Sequence, residues 1–443
     1  MEKKLFLPIE IKKRELPSRV YLSLIAAKKG YSSILGHKSR FLKFQHYCTN
    51  GNIIIKSLPK KDIEYLKNLK KKNNNIYYIH EEGLMSFDDH FTHRMINSNA
   101  LNFVDKVFTW GKEQTNSMKK IFVRNDDYLL EVGNPRIDVL IQLKKFFQYE
   151  AESIKKKFGN FILVTTKYGK INFFPRDDKS FNFISNQIKK GYIRDKHSED
   201  LGRRSVEHEK KNLNLYLVFL KKYSKLNKKL IILRPHPGEN FEFWNKELKE
   251  YNNIKVIQDH QSTNSWILAS EFLISNNCTT LLEAHLLGKK CINFIPFQDQ
   301  KVEYEIPKIV SKNIRSIDEM IDLCNNFQDQ SNFNDLNNRN KLNSYLSNIE
   351  YFNSSEKIID VIDSNKNNII IKNYSRFYND ALVFFRDIKR KLFNKDTFMK
   401  NLSNQKFANI SISEVQDIIK NVDDLNKYNV TIYKSGLINI KLK

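Results

Sequence analysis

Short apolar runs separated by amphipathic stretches recur along the chain. In the first third, runs typical of buried strands occur at residues 4–9, 32–35, 52–55, 76–80 and 106–109. Between the first two runs, Leu22, Ile25 and Ala26 follow a helical spacing within residues 18–29. Strands that alternate with helices predict a parallel sheet covered by helices.

A second series of apolar runs follows a basic helical stretch. Its predicted strands are residues 161–166, 230–233, 254–257, 272–274 and 291–295, and a long charged helical stretch fills 181–229. The repeated pattern predicts two tandem α/β domains that face each other across a cleft. We predict the boundary within residues 146–158, which gives a first domain at 1–150, a second at 151–345 and a C-terminal extension at 346–443.

The C-terminal extension is less regular in sequence. Residues 328–368 are rich in Asn, Ser and Asp, which predicts weakly packed helices and linkers. Further on, residues 384–393 have the spacing of a basic amphipathic helix, with an apolar side made of Phe384, Phe385, Ile388 and Leu392. Such a helix either packs on the domains or rests on an anionic membrane surface.

Composition places the chain among folded, globular proteins. Its 443 residues are 40% hydrophobic and 28% charged, and a prior of about 150 residues per domain suggests two or three domains. The formal net charge of +25 favours an anionic partner. The chain is also rich in Asn, Lys and Ile, as AT-rich coding produces, so we expect no nucleic-acid partner.

Cysteine usage and the N-terminus bear on location. The four cysteines form no Cys-x-x-Cys pair, which favours a reducing compartment. The first residues reach Pro8 and Glu10 before an apolar signal-peptide core could form, and no run of about 18 apolar residues occurs. We therefore expect a cytoplasmic protein.

A sharp turn after the strand at 230–233 is the strongest candidate site. The segment Arg234-Pro-His-Pro-Gly-Glu239 ends the strand, and prolines on both sides of His236 fix its backbone. Ligands of open α/β folds bind at the carboxyl edge of the parallel strands. Arg234, His236 and Glu239 are thus candidate binding residues, the alternative being a turn with a surface histidine.

A second candidate site lies where the strand at 272–274 leads into a helix. Four small polar residues surround the predicted helix start: Ser275, Asn276, Thr279 and Thr280. The free amides and dipole of a helix N-terminus attract phosphate. Glu283, one turn further on, could accept hydrogen bonds from ribose hydroxyls. The alternative is ordinary N-capping with Glu283 in solvent.

A third candidate site follows the strand at 76–80, in His80-Glu81-Glu82-Gly83. Successive side chains at a strand end alternate in direction, so one carboxylate faces the predicted cleft. Glu82, and second Glu81, are candidates for an acid, base or nucleophile. A solvated acidic turn is the alternative.

Several absent motifs exclude other protein classes. The chain has no Gly-x-Gly-x-x-Gly after a strand and no Gly-x-x-x-x-Gly-Lys-Ser/Thr, which disfavours dinucleotide oxidoreductases and P-loop ATPases. It also lacks Asp-x-Asp, so a metal-bridged diphosphate site is not expected. His90 and His93 have metal-compatible spacing but no evident third ligand. We predict no cofactor and a metal-independent site.

The order of the motifs resembles the bacterial surface carbohydrate biosynthesis proteins. They are His80-Glu-Glu-Gly-Leu84, Val107-Phe-Thr-Trp-Gly-Lys-Glu-Gln114, Val132-Gly-Asn-Pro-Arg-Ile-Asp138, Arg234-Pro-His-Pro-Gly-Glu239 and Asn277-Cys-Thr-Thr-Leu-Leu-Glu283. Thr165-Thr-Lys-Tyr-Gly-Lys-Ile-Asn172 is also similar. The resemblance covers most of the chain, and its specificity lies in the ordered set. That family is distantly similar to the β-Kdo transferases, which use CMP-activated sugar acids.

The resemblance implies a GT-B-like glycosyltransferase made of two Rossmann-like domains. The second domain would hold the nucleotide-sugar donor, for which the resemblance favours a CMP-linked sugar, with an ulosonic acid such as Kdo as one candidate. The first would hold a lipid-linked or oligosaccharide acceptor, with peripheral contact to the inner membrane as an option. By motif match, His236 would contact the donor phosphate, Ser275, Asn277, Thr279 and Thr280 would complete the pocket, and Glu82 would be the catalytic carboxylate.

Two other functions stay open on sequence grounds. One is a CDP-polyol phosphotransferase that resembles the teichoic-acid polymerases, which share the fold and a histidine in the second domain. The other is a non-catalytic glycan- or nucleic-acid-binding protein, which only the positive charge favours.

Overall fold

The structure is a computed structural model that describes residues 2–45, 48–80, 89, 93, 96–122, 126–173, 182–259, 261–326, 336–365, 409–433 and 435–443. Two separate sheets organise these residues, one with eight strands and one with six. The predicted alternation of strands and helices is present in both.

The first sheet begins with six strands that all run parallel. They are β1 (Lys3–Ile9), β2 (Tyr31–His37), β3 (Asn52–Ile55), β4 (Asn75–Ile79), β5 (Lys106–Thr109) and β6 (Leu129–Glu131). Alternate residues of β1 pack on opposite faces, with Leu5 and Leu7 in one apolar cluster and Phe6 in another. Both faces of the strand are therefore buried, as is usual for a parallel sheet.

Within the described residues, seven helices accompany these strands. They are α1 (Lys12–Lys28), α2 (Lys38–Lys43), α3 (Ile63–Lys71), α4 (Ser98–Leu101), α5 (Lys112–Ile121), α6 (Pro135–Gln142) and α7 (Lys144–Phe158). The first helix starts six residues before the predicted residue 18 and contains Pro17. Its start is stabilised by the buried Glu15 carboxylate, which accepts hydrogen bonds from the backbone N–H groups of Glu10 and Ile11 at 2.9 and 3.2 Å. This capping is local, since Glu15 belongs to the first turn of the same helix, and it satisfies two backbone N–H groups on the N-terminal side of Pro17.

The second sheet has six parallel strands in the order β12-β11-β10-β7-β8-β9. They are β7 (Phe161–Thr165), β8 (Leu230–Arg234), β9 (Ile254–Val256), β10 (Leu273–Ser275), β11 (Cys291–Phe294) and β12 (Lys312–Ile314). Its helices are α8 (Phe183–Lys189), α9 (Lys196–Leu226), α10 (Phe241–Leu248), α11 (Thr263–Ala269), α12 (Thr280–Leu286), α13 (Glu305–Val310) and α14 (Ile317–Asn325). The 31-residue α9 occupies most of the stretch predicted to be helical and charged.

Helix α7 spans the predicted domain boundary and packs against α11 of the second unit. The rings of Phe158 and Trp266 lie 5.4 Å apart between centroids, and Ser265 Oγ donates to Glu150 Oε2 at 2.5 Å. The boundaries at residues 150 and 345 stay predictions, because a continuous helix runs through the first of them.

The C-terminal extension returns to the first unit. After α15 (Leu336–Tyr345), the last helix before it, the extension contributes α16 (Ser354–Ser364), α17 (Ile412–Lys420) and a hairpin of β13 (Tyr428–Ile432) and β14 (Ile438–Leu442). The hairpin adds to the edge of the first sheet through antiparallel pairing of β14 with β2. The complete strand order is β13-β14-β2-β1-β3-β4-β5-β6.

Helix α16 corrects the prediction of weak packing for residues 328–368. Ile358, Ile359 and Ile362 are at most 1% exposed, and the buried Asp138 carboxylate accepts hydrogen bonds from the backbone N–H groups of Ser354 and Ser355 at 3.1 and 2.6 Å. The polar composition was misleading because only one face of the helix is apolar. The predicted amphipathic helix at 384–393 lies outside the described residues.

In the portions of the chain that the structure describes, no helix combines the length and apolarity needed to span a bilayer.

Candidate functional site

Three loops meet at the carboxyl edge of the second sheet. They follow the adjacent strands β8, β7 and β10 and comprise residues 235–240, 166–172 and 276–279. Side chains of the three loops hydrogen-bond to one another, as detailed below. Because β8 and β10 flank β7, the turn that carries His236 and the loop before α12 are about 10 Å apart, two strand spacings. The first two candidate sites from the sequence therefore lie at the same edge.

His236 projects into solvent from the first of these loops. Its Nδ1 accepts a hydrogen bond from the backbone N–H of Gly238 at 3.0 Å. A neutral imidazole whose Nδ1 is an acceptor carries its proton on Nε2. The turn thus holds an exposed imidazole at the sheet edge, and in its neutral form the ring donates through Nε2.

Glu239 does not face solvent and instead holds the loops together. The residue is 1% exposed, and its carboxylate accepts hydrogen bonds from Thr166 Oγ1 at 2.9 and 3.0 Å, Tyr168 N at 2.9 Å and Trp244 Nε1 at 3.0 Å. Burial raises its pKa to about 7, although the donors oppose the rise. In this geometry Glu239 fixes the His236 turn and has no exposed oxygen for a ligand.

Arg234 is also engaged within the domain. Its Nη2 donates to Asp259 Oδ1 at 2.9 Å and to the Gln261 carbonyl at 3.2 Å. Its guanidinium lies 4.9 Å from the centre of the Trp266 ring. Burial lowers its pKa to about 10, with Asp259 opposing. Arg234 therefore stabilises the start of the turn through these contacts and contributes positive charge next to it.

Three hydroxyl groups cluster where β7 and β10 end. Thr165 Oγ1 donates to Ser275 Oγ at 2.9 Å, Ser275 Oγ donates to the Thr165 carbonyl at 3.2 Å, and Thr280 Oγ1 lies 3.1 Å from Thr165 Oγ1. Thr279 precedes α12 in helical conformation, and its side chain makes no capping hydrogen bond. The ordinary N-capping that the sequence left as an alternative is therefore not seen at Thr279.

Asn276 and Asn277 anchor the loop between β10 and α12. Asn276 Oδ1 accepts from the backbone N–H of Lys167 at 3.1 Å. Asn277 has a φ of 46°, a left-handed conformation that asparagine tolerates better than most residues. Its Oδ1 accepts from the backbone N–H of Tyr304 at 2.7 Å. Both amides thus shape the loop.

Lys167 is a residue at this edge that the sequence reasoning did not single out. Its Nζ donates to the Asn277 carbonyl at 3.2 Å and lies 3.8 Å from the centre of the Tyr304 ring. The available signal was its position directly after β7, the strand between β8 and β10. The rule that drew attention to His236 applies equally there.

A polar cavity of about 10 Å³ lies behind this loop, lined by Lys167, Lys170, Ser205, His208, Glu209, Asn212, Asn276, Asn277, Ile295 and Val302. That volume accommodates about one water molecule. A larger ligand would therefore bind on the open side of the edge, where His236 projects.

Glu283 lies on α12 and contacts the helix that follows the first sheet. Its Oε1 accepts from Arg136 Nη2 at 3.0 Å, and the two side chains are 19% and 16% exposed. Burial raises the pKa of Glu283, while Arg136 and Arg14 oppose the rise. Glu283 is therefore not solvated, contrary to the alternative weighed from sequence.

Two carboxylates of the third candidate site, Glu81 and Glu82, lie outside the described residues. His80 is described and buried, and its carbonyl accepts from Trp110 Nε1 at 2.6 Å. His90 also lies outside the described residues, whereas the His93 Nε2 is 2.9 Å from Ser117 Oγ. Within the described ranges, no three His, Cys, Asp or Glu side chains are grouped so as to hold a metal ion.

The carboxyl edge of the first sheet carries a charged network that the sequence reasoning also missed. Lys38 Nζ contacts Glu10 and Asp62 at 3.2 and 2.9 Å, and Lys56 Nζ contacts Glu10 and Glu15 at 3.2 and 2.5 Å. Burial alone would raise the pKa of Glu10, but the neighbouring Lys56 and Lys38 lower it overall. Each of these residues lies shortly after a parallel strand, and this position could have identified them from the sequence.

Comparison with solved structures shows what the architecture resembles. The UDP-GlcNAc 2-epimerase of Methanocaldococcus jannaschii matches with a TM-score of 0.51 and 13% identity, over 82% of this chain and 100% of the epimerase. The wall teichoic acid polymerase TagF matches with a TM-score of 0.50 and 12% identity, over 82% and 89%. S. aureus MnaA, solved with UDP, matches with a TM-score of 0.52 and 13% identity, over 85% and 100%. No protein-family model and no curated protein sequence matches the chain.

These similarities, at 12–13% identity, concern the fold. The chain has a GT-B-like α/β fold with two parallel-sheet, Rossmann-like units and a C-terminal tail of helices and strands. The fold class expected from the sequence is confirmed. Fold alone does not define a reaction, which has to be argued from the site.

Proposed function

We propose that this chain is a glycosyltransferase that moves a sugar from a nucleotide donor onto a bacterial surface glycan. The observation that carries the proposal is the His236 turn, which holds an exposed imidazole at the carboxyl edge of the second sheet, with Nδ1 accepting from the backbone N–H of Gly238. UDP is bound in the solved MnaA structure, and ligands of open α/β folds bind at this edge.

The donor side of the proposal concerns the leaving phosphate. A nucleoside monophosphate leaving group carries one phosphate, whose developing charge an N–H donor and nearby positive charge stabilise. Here His236 supplies the donor, and Arg234 and Lys167 supply positive charge at the same edge. We therefore propose a CMP-linked donor, such as a sugar acid, and a reaction without a metal ion.

The chemistry balances with an acceptor hydroxyl as nucleophile. The hydroxyl oxygen forms a bond to the anomeric carbon, and the bond from that carbon to the phosphate oxygen breaks. The phosphate leaves with the electron pair, and the hydroxyl proton passes to a carboxylate base. Glu82 is our candidate base, although it lies outside the described residues. Closure of the two units around the donor would exclude water that otherwise hydrolyses an activated sugar.

Calorimetric titration of the full chain with CMP, CDP and UDP tests the proposal. We expect CMP to bind best, and we expect His236→Ala to weaken binding about tenfold, the value of a hydrogen bond to a charged group. His236→Gln is the matched control, because its amide keeps an N–H donor and should retain most of the affinity. Failure of all three nucleotides to bind wild-type protein would remove the transferase proposal.

A second candidate function is a transferase that uses a CDP-linked polyol. The similarity of fold to TagF, a wall teichoic acid polymerase, is compatible with this function. Incubation with CMP-sugar and with CDP-glycerol, followed by mass analysis of the products, separates the two. Polyol-phosphate addition to the acceptor would replace our first proposal, and addition of a sugar would support it.

A further inference from the structure

Positive charge is enriched at one edge of the first sheet. The segments at the carboxyl ends of the adjacent strands β2, β1 and β3 comprise residues 37–43, 10–15 and 56–62, and include all of α2 and the first turn of α1. We call these segments the basic edge. Its 20 residues contain nine Lys or Arg and three Asp or Glu, a net charge of +6. An even spread of +25 over 443 residues would place about +1 there.

The corresponding loops of the second sheet show no such excess. Residues 166–172, 235–240 and 276–279 contain two Lys and one Glu, a net charge of +1. An AT-rich coding bias would enrich lysine in both places, so it does not explain the difference. The excess of positive charge at the carboxyl edge is therefore specific to the first sheet.

The three carboxylates of the basic edge are already used within it. Glu10 and Asp62 bind Lys38, and Glu15 binds Lys56 and Arg14, the last at 3.4 Å. These contacts hold the network together and neutralise only part of its charge. Lys12 pairs outside the edge, with Glu414 at 2.6 Å.

Two exposed lysines of the basic edge can contact a partner. Among the described residues, Arg40, Lys60 and Lys61 form no ion pair, and Lys60 and Lys61 are exposed. Arg40 donates instead to neutral oxygens, the Ser435 carbonyl and Asn409 Oδ1. Uncompensated cations at a sheet edge create a positive potential that attracts and orients an anionic ligand.

We propose that the basic edge binds an anionic glycan, a chain with carboxylate or phosphate groups at repeated positions, as the acceptor. The assignment of this glycan as the acceptor rests on the proposed function. The binding of an anionic glycan to the basic edge does not depend on the proposed function. A repeated anionic ligand fits better than a single phosphate, because the described cations without an ion pair lie in two separate segments, Arg40 in 37–43 and Lys60 and Lys61 in 56–62.

Fluorescence anisotropy with the full chain tests this inference. The probe is a labelled oligogalacturonate of about ten sugars, with its methyl ester as the uncharged control. We expect the acid form to bind, the ester not to bind, and added salt to weaken binding. We expect Lys60→Gln/Lys61→Gln to weaken binding about tenfold, because this variant removes two exposed positive charges from the proposed binding surface.

The matched control is Lys225→Gln/Lys228→Gln, which removes two exposed lysines near the start of β8, at the opposite edge of the second sheet. We expect less than a twofold effect. Equal losses in both double variants, or equal binding of acid and ester, would overturn the inference. Tighter binding to phosphatidylglycerol vesicles or to a single-stranded oligonucleotide, with the same loss in Lys60→Gln/Lys61→Gln, would overturn it in favour of a membrane or nucleic-acid surface.

Failure of this inference and failure of the proposed function are distinguishable. If CMP binds and oligogalacturonate does not, the anionic-acceptor inference alone is wrong. If oligogalacturonate binds at the basic edge and no nucleotide binds, the transferase proposal alone is wrong. We expect Lys60→Gln/Lys61→Gln to leave nucleotide affinity unchanged, because the His236 turn belongs to the other sheet.

Discussion

Arg136 and Glu283 form an ion pair of 3.0 Å between helices that belong to the two different units. The residues are 147 positions apart in the chain. Arg136 belongs to the Gly-Asn-Pro-Arg-Ile-Asp segment after β6, and Glu283 belongs to the segment after β10. A nucleotide whose ribose bonded to Glu283 would therefore share that carboxylate with Arg136.

We expect Arg136→Gln to lower the free energy of unfolding by about 2 kcal/mol at pH 7, because Glu283 is left with a poorly compensated charge in a mostly buried place. Glu283→Gln should lower the free energy of unfolding by a similar amount, because Arg136 then loses its ion-pair partner. Urea denaturation of both single variants and the double variant gives the coupling energy. Strictly additive losses would show that the pair contributes nothing.

The buried Glu239 should make stability depend on pH. Its pKa is raised from the model-peptide value of 4.5 to about 7, so between these values the folded chain holds a proton that the unfolded chain has lost. The stability from this group is therefore fully present below pH 4.5 and is lost as pH rises through 7. The loss is about 3 kcal/mol at most, at 1.4 kcal/mol per pH unit.

Glu239→Gln is the variant that tests this dependence. It cannot ionise, so the difference in unfolding free energy between Glu239→Gln and wild type should change across pH 4.5 to 7.5, with the variant relatively more stable at the upper end. Chemical denaturation at several pH values measures it. Parallel curves for the two proteins would contradict the raised pKa.

Gly238 leaves room for the imidazole of His236. A Cβ at this position would come within 3.3 Å of His236 Nδ1, so Gly238→Ala should displace the ring by a few tenths of an ångström. We expect nucleotide affinity to fall about threefold with no change in melting temperature. Gly169→Ala, in the adjacent loop, is the control because a Cβ there meets nothing within 4 Å. Equal affinities of the two variants would show that the ring position is unimportant.

Gly133 is confined by the C-terminal extension. It has a φ of +81°, and a Cβ there would clash with Ser354 Oγ and lie 2.6 Å from the Ser347 carbonyl oxygen. We expect Gly133→Ala to lower the free energy of unfolding by about 3 kcal/mol, the sum of left-handed strain and overpacking. Gly30→Ala, at a φ of +80° with nothing within 4 Å, should cost only about 1 kcal/mol. Urea denaturation compares them, and equal costs would mean that the extension yields to the added methyl group.

Much of the fold could be predicted because it depends on local periodicity. The strands at 161–165 and 230–234 were predicted within one residue, since a short run of apolar β-formers between polar turns has few other structures available. The position of His236 at a sheet edge followed similarly from two prolines that end a strand.

The directions of the neighbouring side chains could not be predicted in the same way. Glu239 and Arg234 lie beside His236 in sequence, yet Glu239 turns inward to Thr166 and Trp244 and Arg234 turns to Asp259. Those partners come from other loops and helices. A buried polar group requires hydrogen-bond partners, and only the packing of distant segments supplies them.

The sequence by itself therefore determined two α/β units, their strands and the edge at which His236 stands, because these follow from spacing and backbone restriction within a few residues. The tertiary structure decided that the C-terminal hairpin completes the first sheet and that Glu283 pairs with Arg136. It also decided that cations from three separate segments lie at one edge of that sheet. Each of these depends on which strands become neighbours, and the cost of bringing distant segments together is repaid only when the whole sheet forms.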